Sequence, residues 1–407
     1  MSSPPSSRIL TIIAALAVFA AAAWADDPNP KDWDGVLAEA RGQTVYWNAW
    51  AGESRINDYI AWAGREVDAR YGVEVVHVKL SDTAEAVSRV LAEKAAGTTA
   101  GGAIDLIWIN GENFSSMKEN GLLFGPWAED LPNFRLTDPE HRDSVRKDFT
   151  VPVEGFEAPW GSAQLVFFYD TAREKLAPRS IAALLEWAKS HRGRFTYPRP
   201  PDFLGSTFLK QVLLDLVKDR AVLYRPADDS HFDAVTKPLW AYLDELNPTL
   251  WRGGRAFPAG GAELRRLLAD DEISLAFSFD PAAASAAIAN GELPDTVRSY
   301  VLDGGTIGNV HFLAIPFDAE HKAGAMVLAN FLLSPEAQAR KQDPRVWGSS
   351  TVLALDRLPS ADRSLFAALE LGIATPRPEE LGIILPEPHP TWMKRIEQEW
   401  LRRYTPR

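Results

Sequence analysis

Hydrophobic and polar positions switch between two periods along the first third of the chain. Residues 44–50, Thr-Val-Tyr-Trp-Asn-Ala-Trp, are β-branched and aromatic and stop before Gly52, which predicts a strand. Over 56–70 the apolar residues Ile56, Ile60, Ala63 and Val67 return at helical spacing on one face. The alternation repeats, with a strand predicted over 74–80, a helix over 84–96 ended by Gly97, and a buried strand over 103–110. Three strand-helix units in succession predict a parallel sheet with right-handed crossovers. In open sheets of that kind ligands sit at the carboxyl ends of the strands, here 48–54, 80–82 and 110–114.

Beyond a further strand at 164–170, the same alternation predicts a helix (180–190), a strand with a proline-rich exit (195–201) and a helix (206–217). A strand at 273–278, a helix at 282–289 stopped by Asn290-Gly291, and a strand at 310–315 after the turn Asp303-Gly304-Gly305 complete a second set. From Lys322 onward the chain reads as mostly helical. The fold class expected is therefore α/β, in two open-sheet lobes. At roughly 150 residues per domain, 407 residues allow two to three domains.

The N-terminus changes the picture. An apolar run over 9–23 follows Arg8, and Ala23-Trp24-Ala25 supplies a small-x-small cleavage pattern, so residues 1–25 are expected to be a removed signal peptide. The run falls short of the roughly 20 residues that span a bilayer. There is no cysteine, which excludes disulfides, thiolate chemistry and a lipid-modified N-terminal Cys. An exported chain without a lipid anchor is expected to be soluble in a Gram-negative periplasm. Its net charge of −12 has the wrong sign for a general nucleic-acid binder and favours cationic ligands.

Four features together resemble the extracytoplasmic solute-binding proteins of ABC importers, in the type II cluster with thiamine, polyamine and ferric-ion carriers. They are the export signal, the strand-loop Val45-Tyr-Trp-Asn-Ala-Trp50, the crossing strand Gln164-Leu-Val-Phe-Phe-Tyr-Asp170, and the helix end Ala329-Asn-Phe-Leu-Leu-Ser-Pro-Glu-Ala-Gln338. The last is the most specific, and the branch resembled is the YnjB-type, thiamine-transport-like one. The resemblance implies a monomeric two-lobed clamp, crossed near 162–168 and 306–312, that holds a small molecule and delivers it to an ABC permease in the inner membrane. It implies a first lobe of residues 26–164 plus 306–407, a second lobe of 165–305, and no cofactor. Gly161, Gly304, Gly305 and Gly308 stand near the crossings, as hinge residues or as ordinary turn residues.

In such a clamp the expected ligand residues are Trp50 and Glu53 in the first strand-to-helix loop, and Asn110 at the end of the third strand. Trp160 and Ser162 precede the crossing strand; Tyr197, Asp202, Ser206 and Thr207 surround the 206–217 helix start; Asp280 follows a strand. Aromatic plates with nearby carboxylates suit a cationic heteroaromatic or an amine, with a thiamine-like solute first and polyamines second. Core packing is the alternative for both tryptophans, and capping is the alternative for Asp202. Gly205-Ser206-Thr207 at a helix start keeps an anionic ligand open. There is no adjacent Tyr-Tyr pair, and the seven His lack metal-ligand spacing, so a metal role is disfavoured. No nucleophile elbow, phosphate loop or dinucleotide fingerprint is present. The remaining alternatives are an exported hydrolase using a carboxylate pair such as Glu53 with Asp280, and a non-catalytic sensory or chaperone partner.

Overall fold

A computed structural model describes residues 27–405, so the expected signal peptide lies outside the described residues. The helix α1 (Trp33–Ala40) is capped by Asp32, whose carboxylate accepts from the Gly35 N–H. The three expected units follow: β1 (Thr44–Trp50), α2 (Ser54–Tyr71), β2 (Glu74–Leu80), α3 (Ala84–Ala95), β3 (Leu106–Ile109) and α4 (Gly111–Glu119). β1 pairs in parallel with both β2 and β3, as the alternation requires. α2 stops at Gly72, whose φ of 68° is a left-handed cap that glycine adopts without Cβ strain.

A short hairpin, β4 (Lys147–Asp148) and β5 (Val151–Pro152), leads into the long strand β6 (Glu157–Gln164) and then β7 (Val166–Asp170). The chain changes lobe between β6 and β7, at Leu165. The second lobe holds α5 (Ile181–Ser190), α6 (Phe203–Leu216), α7 (Phe232–Leu246), α8 (Gly261–Ala269), β8 (Leu275–Ser278), α9 (Ala283–Ala289) and β9 (Val297–Tyr300). Its sheet has three antiparallel strands in the order β8-β7-β9. The strand expected at 195–201 is absent, because Pro198, Pro200 and Pro201 have no N–H to give a ladder.

β10 (Thr306–Ala314) returns to the first lobe, followed by α10 (Lys322–Leu332), α11 (Pro335–Gln342), α12 (Ser360–Ala367), β11 (Ile384–Leu385) and α13 (Pro390–Tyr404). β10 pairs antiparallel with β3 and β6 and parallel with β11, giving the larger sheet the order β11-β10-β3-β1-β2 with β6 also on β10. The two crossings are tied together: the Leu165 N–H donates to Ile307 O at 2.8 Å, and the Gln164 amide donates to Thr306 Oγ1 at 3.0 Å. Gly308 is needed there for close approach, since a Cβ would lie 2.9 Å from Ala163 O.

One core lies against the larger sheet, with Trp47, Ile107, Phe312 and Leu328; the other surrounds Phe167, Phe208, Leu243 and Phe277. The end of the chain departs from the expected boundary. Leu385, Trp392, Ile396 and Trp400 are buried in the second core, so 306–407 is not wholly first-lobe. The indole N–H groups anchor α13 there, Trp392 to Arg225 O at 2.9 Å and Trp400 to the Tyr197 hydroxyl at 3.0 Å. α13 also packs on α4 of the first lobe, and so bridges the two.

Candidate functional site

Between the lobes, the strand ends and helix starts face one another. The first lobe contributes the β1–α2 loop with Trp50 and Glu53, Asp82 after β2, and Asn110 and Glu112 after β3. The second contributes Phe203, Ser206 and Lys210 from α6 and Phe279 and Asp280 after β8, while Glu387 and Glu397 come from the C-terminal segment. Trp50 is 36% exposed and Phe203 42%, both large enough to offer a flat apolar face at the opening.

One side of this region is dominated by acid. The Lys210 ammonium is buried, pairs with the buried Glu387 at 2.7 Å, and lies over the Phe149 ring (4.6 Å) and the Phe203 ring (5.5 Å). Asn309 holds the other Glu387 oxygen at 3.0 Å. Around that pair stand Glu112, Asp148 and Glu397. Asp148 accepts the Gly111 N–H at 2.6 Å, but its Oδ1 has no partner. Burial pushes its carboxyl well above the usual range, and the charges of Glu112 and Glu387 push the same way. Burial also raises Glu112, and raises Glu397 to about 7 despite a 2.6 Å hydrogen bond from Ser206. Glu112 keeps a solvent-exposed side chain although protein surrounds it, the signature of a group facing a wet recess. Behind Asp148, Glu157 is fully buried with both oxygens unpartnered, and burial raises it too.

The other side is a mixed-charge contact. Glu53 pairs with Arg265 of α8 across the lobes at 2.9 Å and with Arg55 at 3.4 Å. Burial raises Asp280 to about 7, with the Glu53 charge adding to it, and burial lowers Lys341 to about 7 against the opposing pull of Asp280. Lys341 donates to the Trp160 carbonyl, and its charge adds to the burial that holds His311 well below its ordinary value. Phe279 meets Phe203 edge to face at 5.2 Å, joining the two sides.

Of the residues expected at the site, Trp50, Glu53, Asn110, Ser206 and Asp280 come to this region. Trp160 does not wall it: it is fully buried, edge to face with Trp47 (5.4 Å) and Trp108 (5.0 Å). Tyr197 is likewise buried, its hydroxyl donating to Asn247 at 2.8 Å and accepting from Trp400. Asp202 caps α6 by accepting from the Leu204 and Gly205 N–H groups, Thr207 bonds back to Phe203 O, and Ser162 bonds to Thr351 O at the crossing. Sequence reasoning missed Lys210, Asp148, Glu387 and Glu397. Only Glu112 carried a signal, lying in the strand-end segment 110–114. Among the described residues, no three His, Cys, Asp or Glu side chains stand as a metal site.

Residues 62–352 match the family model described as bacterial extracellular solute-binding protein. Protein YnjB of Escherichia coli K12 is 46% identical over 376 residues, covering 92% of this chain and 95% of that protein. The periplasmic binding protein AfuA of Actinobacillus pleuropneumoniae superposes with a TM-score of 0.60 at 14% identity, over 89% of this chain and 98% of that one. The ferric binding protein of Campylobacter jejuni gives 0.61 at 12%, over 88% and 98%. The spermidine/putrescine substrate-binding protein PotD of Streptococcus pneumoniae gives 0.59 at 16%, also over 88% and 98%. Among the described residues no helix is long and apolar enough to cross a membrane. Family match, sequence identity and the two-lobed type II periplasmic-binding architecture agree: this chain belongs to the bacterial extracellular solute-binding proteins.

Proposed function

We propose that this protein captures a small cationic solute between its lobes in the periplasm and presents it, closed, to an ABC permease. One observation carries the charge of the solute. Glu112 and Glu397, with the buried Asp148 behind them, stand beside an already matched Lys210–Glu387 pair, where burial makes bare carboxylates costly. An entering cation supplies the missing counter-charge, and Trp50 and Phe203 offer faces for a ring or an ammonium. That chemistry supports a thiamine-like or amine solute. Among the relatives of this fold, one is named for spermidine and putrescine, one for ferric iron, and one was solved with fructose-6-phosphate, so the fold alone selects no charge.

Two features weigh against the other readings. The first-turn N–H groups of α6 are occupied by Asp202 and the Ser206 hydroxyl by Glu397, so this helix start offers an anion little. Glu53 is held by Arg265 and Arg55, which ties up one of the two carboxylates that a hydrolase built on the Glu53–Asp280 pair would need.

The test is calorimetric titration of the processed protein with thiamine, 1,4-diaminobutane, a neutral sugar and a sugar phosphate, with scattering before and after saturation. A cation is expected to bind at micromolar strength, about −8 kcal/mol, and to shrink the radius of gyration. Binding confined to the sugar or sugar phosphate would sink the reading.

A further inference from the structure

We infer that Phe149 is a positioning residue for solute capture, acting through Lys210 of the opposite lobe to set how readily the lobes close. The inference goes beyond cation capture and holds for a solute of any charge. Phe149 and Thr150 form the two-residue turn of the β4–β5 hairpin, in which Asp148 pairs with Val151. Both stand at positive φ, 42° and 74°. Two-residue hairpin turns of that shape favour Asn-Gly, and a bulky residue followed by a β-branched one is strained there. The Thr150 hydroxyl does nothing to offset the strain, since it has no hydrogen-bond partner.

What the turn achieves is the placement of one ring. Phe149 is 5% exposed, yet among the described residues it is the one buried Phe, Tyr or Trp that joins neither hydrophobic core. Its ring lies 4.6 Å from the Lys210 ammonium on α6, so part of its cover comes from the second lobe. On the first-lobe side it fills a slot left by Gly111, where a Cβ would lie 2.8 Å from the ring. Asp148 accepts the Gly111 N–H at 2.6 Å and so fixes the hairpin to the start of α4. Backbone strain of this kind persists only where the surroundings hold it. Here a holding contact is Lys210, and parting the lobes removes it and lets the turn relax. The docked ring therefore favours the closed form while the strained turn opposes it, which keeps the two forms close in free energy.

The chain has no cysteine, so Asp58→Cys on the exposed face of α2 and Ala182→Cys on that of α5 carry one spin label per lobe. Interlobe distance distributions are measured without solute in this labelled background, unchanged or with Thr150→Gly or Phe149→Leu. Thr150→Gly relieves strain and loses no hydrogen bond, so the closed-to-open ratio should rise about fivefold. Phe149→Leu keeps an apolar side chain at the same φ but loses the ring face over Lys210, so the ratio should fall about fivefold. Where the unchanged protein shows one population only, the variant expected to leave that population is the one read. Opposite shifts support the inference; an unchanged ratio in the folded variant being read, or shifts of one sign, overturns it. A higher Tm for Thr150→Gly at an unchanged ratio places the strain in both forms and overturns it equally. Thr150→Gly decides the matter by itself where Phe149→Leu does not fold. No solute enters the measurement, so cation capture stands or fails separately.

Discussion

Trp50 and Trp160 show what a single residue's surroundings decide. Both follow from the same expectation of aromatic plates near strand ends, yet one is 36% exposed and the other is enclosed by Trp47, Trp108, His311 and Trp347. Trp160→Ala should therefore cost about 3–5 kcal/mol of stability, read as a large fall in Tm, with binding lost only through unfolding. Trp50→Ala should leave Tm of the empty protein nearly unchanged and weaken cation binding about 3- to 30-fold. Sequence marked both residues but could not separate them, because β6 is covered on both faces and alternation no longer distinguishes inside from cleft. The acidic residues carry a pH signature as well. Burial pushes Glu397 up to about 7 and raises Asp148 and Glu112 as well, so a proton on Glu397 competes with a bound cation around neutral pH. Ammonium binding favours their ionised forms and releases those protons, and affinity falls as pH drops through about 7. Calorimetry in buffers of different ionisation enthalpy should show proton release; uptake on binding would contradict the acidic recess.

At the scale of elements, what was legible followed local periodicity. β1 and β2 appear at the expected residues as short β-branched and aromatic runs, and α2 and α3 within a residue or two, because each helix has a one-faced apolar pattern and a glycine stop. The strand expected over 195–201 failed where prolines removed the ladder donors. The C-terminal helix failed differently: Trp392, Ile396 and Trp400 announce an apolar face but say nothing about which lobe it covers. That assignment is a long-range fact, and it hid Glu387 and Glu397 from the site. Its consequence is testable. Trp392→Ala removes a buried indole and its bond to Arg225 O, which should destabilise by about 3–5 kcal/mol. Because α13 also packs on α4, limited proteolysis of this variant should open cuts near residues 386–390 before the first lobe is attacked. Cuts appearing first within 44–110 would show that α13 is not the weakened element.

For the whole molecule, the question is what holds the lobes together before a ligand does. Glu53, expected to touch ligand, pairs with Arg265 across the lobes, with side chains only 22% and 13% exposed. A half-buried pair of this kind is worth about 1 kcal/mol or somewhat more, enough to shift an open–closed equilibrium about fivefold to tenfold. Arg265→Met should therefore enlarge the ligand-free radius of gyration and weaken apparent affinity by the same factor, since binding then carries the cost of closure. Glu53→Gln should do likewise. The double variant distinguishes the roles: if the two residues act only through each other, it loses no more than either single change. A ligand-contacting Glu53 predicts a different result, with Glu53→Gln costing more than Arg265→Met and the double variant costing the sum. Scattering on the empty proteins, set beside titration of the same four, assigns Glu53 to the latch or to the ligand.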